Sequence, residues 1–530
     1  MSDGIARARY DALAGSRSQY LQTAVKCSEL TLPYLIKQDD SAKGPKTLMT
    51  PWQSVGSKAV VTLAAKLMLA LLPPQTTFFK LQIRDDKVGS EIPVEIRSEL
   101  DLSFSKMERL IMDYVNASSD RVVVHQALKH LIVGGNALIF MGKEGLKHYP
   151  LNRYVVNRDG NGNVMEIVTK ELVNKKLVDF DLPKPVPHYT GEDYEKDDVE
   201  VYTYVQYDSR SGRWQWHQEA YDCIIPGSKS TAPKSASPWL VLRFNTVDGE
   251  DYGRGRVEEF LGDLKSLEAL SQAITEGSAA MAKVVFLVSP SSTTKPASLA
   301  NAGTGAIIQG RPDDVAVVTT GGKTGDFRTA QEMAAQLERR ISDAFLILNI
   351  RQSERTTAEE VRMTQMELEQ QLGGLFSLLT VEFLVPYLNR VMLVLQKKNE
   401  LPKIDKNIVR PQIVAGVNAL GRGQDRESLT AFLTTIAQTI GPEALMQYIV
   451  PAEAIKRLAA AQGIDYLNLV KTEEQLNEEN QAAQQQQMEQ TLAEQTGQLA
   501  NAPMLDPSKN PNMLEQPMEG AEEEFIEPPQ

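Results

Sequence analysis

Five histidines, two cysteines and many carboxylates are the residues of this chain that could do acid–base, nucleophilic or metal chemistry. Their spacing argues against each. His125 and His130 stand five apart in an apolar helical stretch, so they point to different faces and cannot hold a metal as an i, i+4 pair does. His148, His188 and His217 are scattered. No serine sits in a Gly-x-Ser-x-Gly elbow, and neither Cys27 nor Cys223 has an identifiable base partner. Asp159-x-Asn161-x-Asn163 copies half of a calcium loop, but Val164 stands where that loop needs glycine and no glutamate closes it, so a hairpin turn is the better reading. Gly322-Lys323-Thr324 copies the end of a phosphate-binding loop. Val317 stands where its first glycine belongs, and the residues after Thr324 do not read as a helix start. The sequence predicts no enzyme, no metal and no cofactor.

One polar stretch suits contact rather than catalysis. Asn349–Thr356 reads NIRQSERT, and its core, Arg351, Gln352, Ser353, Glu354 and Arg355, is short and carries two guanidinium groups. Such groups touch phosphate oxygens without reading bases. Solvation, or pairing with Glu354, is the plainer use of the same arginines.

Helices must position that stretch. Before it, Thr329–Leu348 aligns Met333, Leu337, Ile341, Phe345 and Leu348. After it, Thr357 to Lys398 begins with a hydroxyl cap and with Glu359 and Glu360 in the first turn, where the helix dipole favours negative charge. Val361, Leu368, Leu372, Phe376, Leu379, Phe383, Val391, Met392 and Leu395 then recur at helical steps. Gly373-Gly374 and Pro386 lie inside the run and predict kinks.

The 530 residues leave room for two to four domains, and 42% hydrophobic with 24% charged content fits a soluble globular chain. Two cysteines exclude a disulfide scaffold. The first residues, MSDGIARARYDALAG, hold no signal-peptide core, and the apolar run Ala59–Leu72 is too short to span a bilayer. Net charge is −13, but positions 471–530 carry 13 acidic and 2 basic residues, which leaves a net of only −2 in positions 1–470. A body so balanced is not a tight nonspecific DNA binder.

In chain order, helices are predicted over 5–30, 57–72, 92–116 and 121–133, with a strand over 78–84 and another over 137–141. From 147 to about 245 the texture turns β-rich. Two hairpins close at 159–163 and 208–212, with a short helical piece at Lys170–Val178 between them. Val257–Lys283 is a helix with Phe260, Leu261, Leu264, Leu267, Leu270 and Ile274 on one side. Glu258, Asp263, Lys265, Glu268 and Glu276 stand on the other. Strand-like pieces follow at Val284–Val288, Ala306–Ile308 and Val315–Val318. A linker, Asn399–Gln412, leads to short helices ending near Val470 and then to a Gln-rich, acidic tail whose last thirty or so residues read as disordered.

Several stretches together resemble the portal, or head-to-tail connector, proteins of short-tailed bacteriophages of the autographivirus group. They are Thr50-Pro51-Trp52-Gln53-Ser54-Val55-Gly56, Lys66–Leu71, Gly135-Asn136-Ala137-Leu138, Tyr252–Glu259, Leu261–Glu268, Gly310-Arg311-Pro312, Thr357-Ala358-Glu359-Glu360 and Leu420–Asp425. Each is short; their order over most of the chain carries the resemblance.

The resemblance implies an α+β, mainly helical portal fold with wing, stem, clip and crown regions. The wing would be 1–170, the β-rich clip 171–250, the channel-lining stem helix 251–285, a second part of the wing 286–348 and the tunnel loop 349–356. A long kinked wing helix and linker would follow over 357–410, then a helical crown over 411–500 and an acidic tail over 501–530. It also implies a homo-oligomeric ring, usually of twelve subunits, at a capsid vertex of the virion, assembled in the host cytoplasm. Double-stranded DNA would pass without sequence recognition, touched by Arg351–Arg355 and by Glu258, Asp263, Lys265 and Glu268 of the stem. Implied partners are the terminase large subunit, the tail adaptor, the major capsid and scaffolding proteins and internal core proteins; no membrane is implied. The competing readings are a helical scaffold without a channel and a packaging ATPase, the latter lacking its phosphate loop.

Overall fold

The computed structural model describes residues 4–38, 48–73, 77–83, 94–177, 197–281, 285–318, 324–347, 373–402, 409–413, 422–439 and 441. Two units divide the chain, Met1–Leu420 and Gly421–Gln530. In the first, helices α1 (Ala6–Glu29) and α2 (Val55–Leu71) precede strand β1 (Phe79–Ile83). Helices α3 (Val94–Ala117) and α4 (Asp120–Gly134) lead to β2 (Asn136–Gly142) and β3 (Gly145–Tyr149). The strand-rich stretch holds β4 (Tyr154–Arg158), β5 (Val164–Asn174), β6 (Asp198–Asp208), β7 (Arg213–Ala220), β8 (Cys223–Ile224), β9 (Ser230–Pro233) and β10 (Trp239–Arg243).

A short helix α5 (Arg256–Glu259) then breaks at Phe260 before α6 (Leu261–Met281). Strand β11 (Val285–Val288), helix α7 (Pro296–Ala300) and strand β12 (Val315–Val318) separate α6 from α8 (Thr324–Ala344). Helix α9 (Gly373–Lys397) and strand β13 (Val409–Ile413) complete the unit. In the second unit the described helix is α10 (Arg422–Thr439).

The strands make four sheets: β1–β13, β10–β2–β3, β11–β12, and a six-stranded sheet ordered β4–β5–β6–β7–β8, with β9 also on β7. The turn at 159–163 forms as predicted. Asp159 Oδ1 accepts from the backbone N–H of Asn161 (2.9 Å) and Asn163 (2.7 Å), an Asx turn that closes the β4–β5 hairpin. The helix predicted at Lys170–Val178 does not form. Strand β5 continues through it to Asn174, paired residue for residue with β6, and a single 3-10 turn follows over Lys175–Leu177. Ladder bonds to a neighbouring strand outweigh the weak local helix preference. Ala306–Ile308 is not a strand either, and Ile307 stands wholly in solvent. The predicted linker ends in β13, which pairs with β1 across Leu81↔Pro411.

Helix α1 packs on the six-stranded sheet. Ala6 and Tyr10 meet Val155, Val168, Tyr202 and Tyr204 there. Glu219 on β7 caps the helix, its carboxylate accepting from the N–H of Ile5 (3.2 Å) and Ala6 (2.8 Å). The sheet is no separate insert, since Val156, Ile167, Val205 and Trp214 belong to the same core as α2, α4 and α9.

Helix α9 is long and apolar enough to cross a membrane, yet here it is a core helix. Leu379, Phe383, Leu384, Tyr387, Leu388, Val391 and Leu395 are buried at helical steps. Where a kink is predicted at Pro386, the helix makes a π turn just before it, over Thr380–Leu384, with Val385 N–H donating to Thr380 O. Proline lacks the N–H and crowds the preceding turn, and one extra residue in the turn relieves both. The sequence 357–372 lies outside the described residues.

Candidate DNA-facing site

The polar row predicted along the 257–283 helix meets four different surroundings. Glu258 is paired with Arg254, whose Nη1 donates at 2.8 Å. Arg254 also grips Glu250 through Nε (2.9 Å) and Nη2 (2.6 Å) and lies over the Tyr20 ring at 4.9 Å. Hydrogen bonds to Glu250 and Glu258 raise the Arg254 pKa, and that to Arg254 lowers the carboxyl of Glu250. Asp263 on α6 accepts from Arg340 on α8 at 3.2 Å. Lys265 is exposed.

Glu268 turns inward and is 7% exposed. Its carboxylate accepts from the N–H of Trp52 (2.8 Å) and Gln53 (3.4 Å). Gln53 in turn donates to Leu30 O (2.7 Å) and accepts from Gly56 N–H (2.8 Å). Glu268 therefore ties the backbone at the entry to α2 onto α6. Spacing carried a weak signal of this: Glu268 stands four residues after the fully buried Leu264.

Residues Arg351, Gln352, Ser353, Glu354 and Arg355 lie outside the described residues. The elements on either side of them are tied down. At the end of α8, Lys66 Nζ donates to Leu346 O and Arg256 Nη2 to Ala344 O (3.2 Å). Two cations thus satisfy the last carbonyl of the helix and one just beyond it, where the dipole favours positive charge. Ile347 N–H reaches back to Ser342 O at 2.8 Å, and Leu346 takes a left-handed φ of 57° to allow it. Burial lowers the pKa of Lys66.

On the far side, Glu382 in the π turn of α9 accepts from Arg243 at the backbone N–H (2.8 Å), Nε (2.9 Å) and Nη2 (2.7 Å). Arg158 Nη1 lies 3.8 Å from the same carboxylate. Burial pulls the Arg158 guanidinium down to about 10 against the opposing pull of Glu382. It also donates to the carbonyls of Gly162 (2.8 Å) and Asp251 (3.0 Å). One turn on, Tyr387 Oη donates to Asp120 Oδ2 at 2.7 Å. Composition and spacing gave no sign of either clamp.

A family profile described as "Bacteriophage head to tail connecting protein" matches residues 4–468. The chain belongs to that family. It is 38% identical over 479 residues to the portal protein of Enterobacteria phage T3, covering 89% of each chain. The portal protein of Escherichia phage T7 is 36% identical over 492 residues, covering 91% of each. That of Enterobacteria phage SP6 is 33% identical over 434 residues, covering 80% of this chain and 81% of its own. The resemblance read from the sequence stands.

Several stretches that carried the resemblance are packing devices in this connector. Gly135 ends α4 at φ 73°, and a Cβ there would meet Gly253 O at 2.5 Å. Asn136 ties the two loops together, donating to Gly253 O (2.8 Å) and accepting from Gly253 N–H (2.7 Å). His130 and His148 pack with ring centroids 4.3 Å apart and planes tilted by 46°, and burial holds the first well below the usual histidine range and the second at about 3. Among the described residues no group of three His, Cys, Asp or Glu side chains is placed to hold a metal. Thr324 does open a helix, contrary to the sequence reading. Val317, however, sits in an antiparallel two-stranded sheet, and the first glycine of a phosphate loop is still missing.

Proposed function

We propose that this connector is the portal subunit of its phage, a homo-oligomeric ring at one capsid vertex through which double-stranded DNA enters during packaging and leaves during ejection. The observation that supports this most directly, beyond family membership, is the pair of clamps. Before the Arg351–Arg355 stretch the chain is held at the end of α8 by Lys66 and Arg256, and the next described helix, α9, is held by the Glu382 cluster. Arg351 and Arg355 of every copy, repeated around a ring, would form a thin basic collar.

Elsewhere the lining should not grip. Strong phosphate contacts along a channel would act as brakes. Glu258 and Asp263 are already paired with Arg254 and Arg340, which leaves Lys265 and Glu276 as the exposed charges of the row. We assign the lining to Glu258, Asp263 and Lys265, with Glu268 reserved for the α2 entry.

The terminase motor and tail adaptor need an exposed surface. Of the two β regions, the one within 171–250 shares a sheet with β4 and is packed on α1, whereas 285–318, carried between α6 and α8, is mostly exposed and is the better docking candidate. Ring-averaged electron microscopy of the purified chain tests the reading: an axial hole of about 20 Å or more is required for duplex DNA. A monomer, or an assembly without a hole, would favour the scaffold reading. Arg351→Ala with Arg355→Ala should lower genome packaging or retention, and wild-type levels of both would refute the collar.

A further inference from the structure

Helix α2 is apolar nearly all round. Val55–Leu71 carries Lys58 and Lys66 and no acidic residue. A helix of that kind belongs in a setting where every side is covered. Val60, Leu63, Leu67 and Leu71 are buried, and α4 and α8 pack against the helix. One face is nonetheless open. Lys58, Val61, Ala65 and Leu69 follow one another at steps of three and four, and all are exposed, Val61 by 40% and Leu69 by 61%. From Val61 to Leu69 the apolar part of this stripe is about 12 Å long.

Two observations bear on what covers it. Lys66 flanks the open face and donates to Leu346 O, so the end of α8 is fixed beside it. The described chain stops one residue later, at Ile347, and resumes at Gly373. Within the intervening sequence, Thr357–Leu372 has the complementary pattern. Val361, Leu368 and Leu372 recur at helical steps, and Glu359, Glu360, Glu367 and Glu369 outweigh Arg362. The apolar positions answer Val61, Ala65 and Leu69, and the excess of carboxylates answers Lys58 and Lys66. At 1.5 Å per residue a helix over 357–372 would measure about 24 Å, enough to cover the stripe.

We infer that the open face of α2 is the seat of Thr357–Leu372 of the same chain, laid on it as an amphipathic helix. The tether decides between occupants. Both ends of the segment belong to the same subunit, and one of them starts beside α2, so the segment meets the face at a high effective concentration. A second copy or a foreign partner would need the same match of apolar and acidic groups without that advantage. The inference stands apart from the ring proposed above. Where the ring holds, it confines Arg351 and Arg355 to a short connection that starts at the end of α8, itself tied to α2, and finishes on α2.

Leu69→Asp in the full chain tests this, because a side chain already so exposed can be changed at little cost to the rest of the fold. Hydrogen exchange across the amides of 357–372 should become at least about tenfold faster in the variant. Ala65→Cys combined with Leu368→Cys, oxidised with glutathione disulfide, should form a disulfide within one chain, identified as linked peptides in material that runs as a single chain without reductant. Unchanged exchange in Leu69→Asp, or absence of that disulfide, overturns the inference. A disulfide joining two chains would put a second copy on the face and overturn it equally. Both readouts work on separated subunits, so a chain that never forms rings would sink the channel reading and leave this one standing.

Discussion

The six-stranded sheet and the β11–β12 ribbon use the same kind of strand and reach opposite ends. The sheet lies against α1, and its charged groups are met inside the chain: Arg9 is paired with Glu166 at 2.8 Å, and Glu219 caps α1. Its neighbour β10 ends in the Arg243–Glu382 pair. The ribbon, carried between two helices with much exposed surface, has apolar strands and uncovered edges. One region is completed by its own neighbours in the chain; the other meets no further strand among the described residues.

That contrast fails or sharpens on several substitutions. The largest effect belongs to Glu382→Ala, which leaves Arg243 and the nearly buried Arg158 without their carboxylate. Losing one partner of such a cluster costs about 3–5 kcal/mol, to be read as a lowered urea midpoint; a change under about 1 kcal/mol would mean that the clamp is dispensable.

Next comes acid lability. His130 and His148 are held neutral by burial, so their folded pKa values lie below the unfolded value. The unfolded chain therefore takes up protons first, and stability is full above the unfolded pKa near 6.5 and falls as pH drops below it toward the folded values. For two such groups the loss between pH 6.5 and 5.5 is about 2 kcal/mol, and His148→Leu should remove about half of that slope.

Glu268→Ala should cost about 1–3 kcal/mol by stranding the N–H groups of Trp52 and Gln53. Lys265→Ala, three residues earlier on the same helix, should stay within about 0.5 kcal/mol. Equal costs for the two would erase the distinction between the inward and outward faces of α6. Smallest of all, Gly277→Ala tests the exposed pair of helices. A Cβ there would lie 2.2 Å from the far end of the Phe327 ring, which can swing aside, so about 1 kcal/mol and a local change in α6–α8 packing are expected, visible as a shift in Phe327 side-chain resonances.

Local chemistry was legible in the amino-acid sequence. Helical repeats announced α1, α2, α4 and α9, alternation and turn residues announced both hairpins, and the Asp159–Asn163 turn was read for the right reason. The order of short stretches was enough to name the family. Sequence alone could not tell which charges stay in water. Lys66 finds its carbonyl 280 residues away, Glu268 its amides 216 and 215 away, and Arg243 its carboxylate 139 away. Each looks like a solvated charge until packing strips its water, after which it must be paired. Periodicity and turn propensity act over a few residues and survive in the bare string. Desolvation depends on what the fold brings alongside, so the partners of Glu268, Glu382 and Lys66, and the bare edges of the ribbon, were decided only by the tertiary structure.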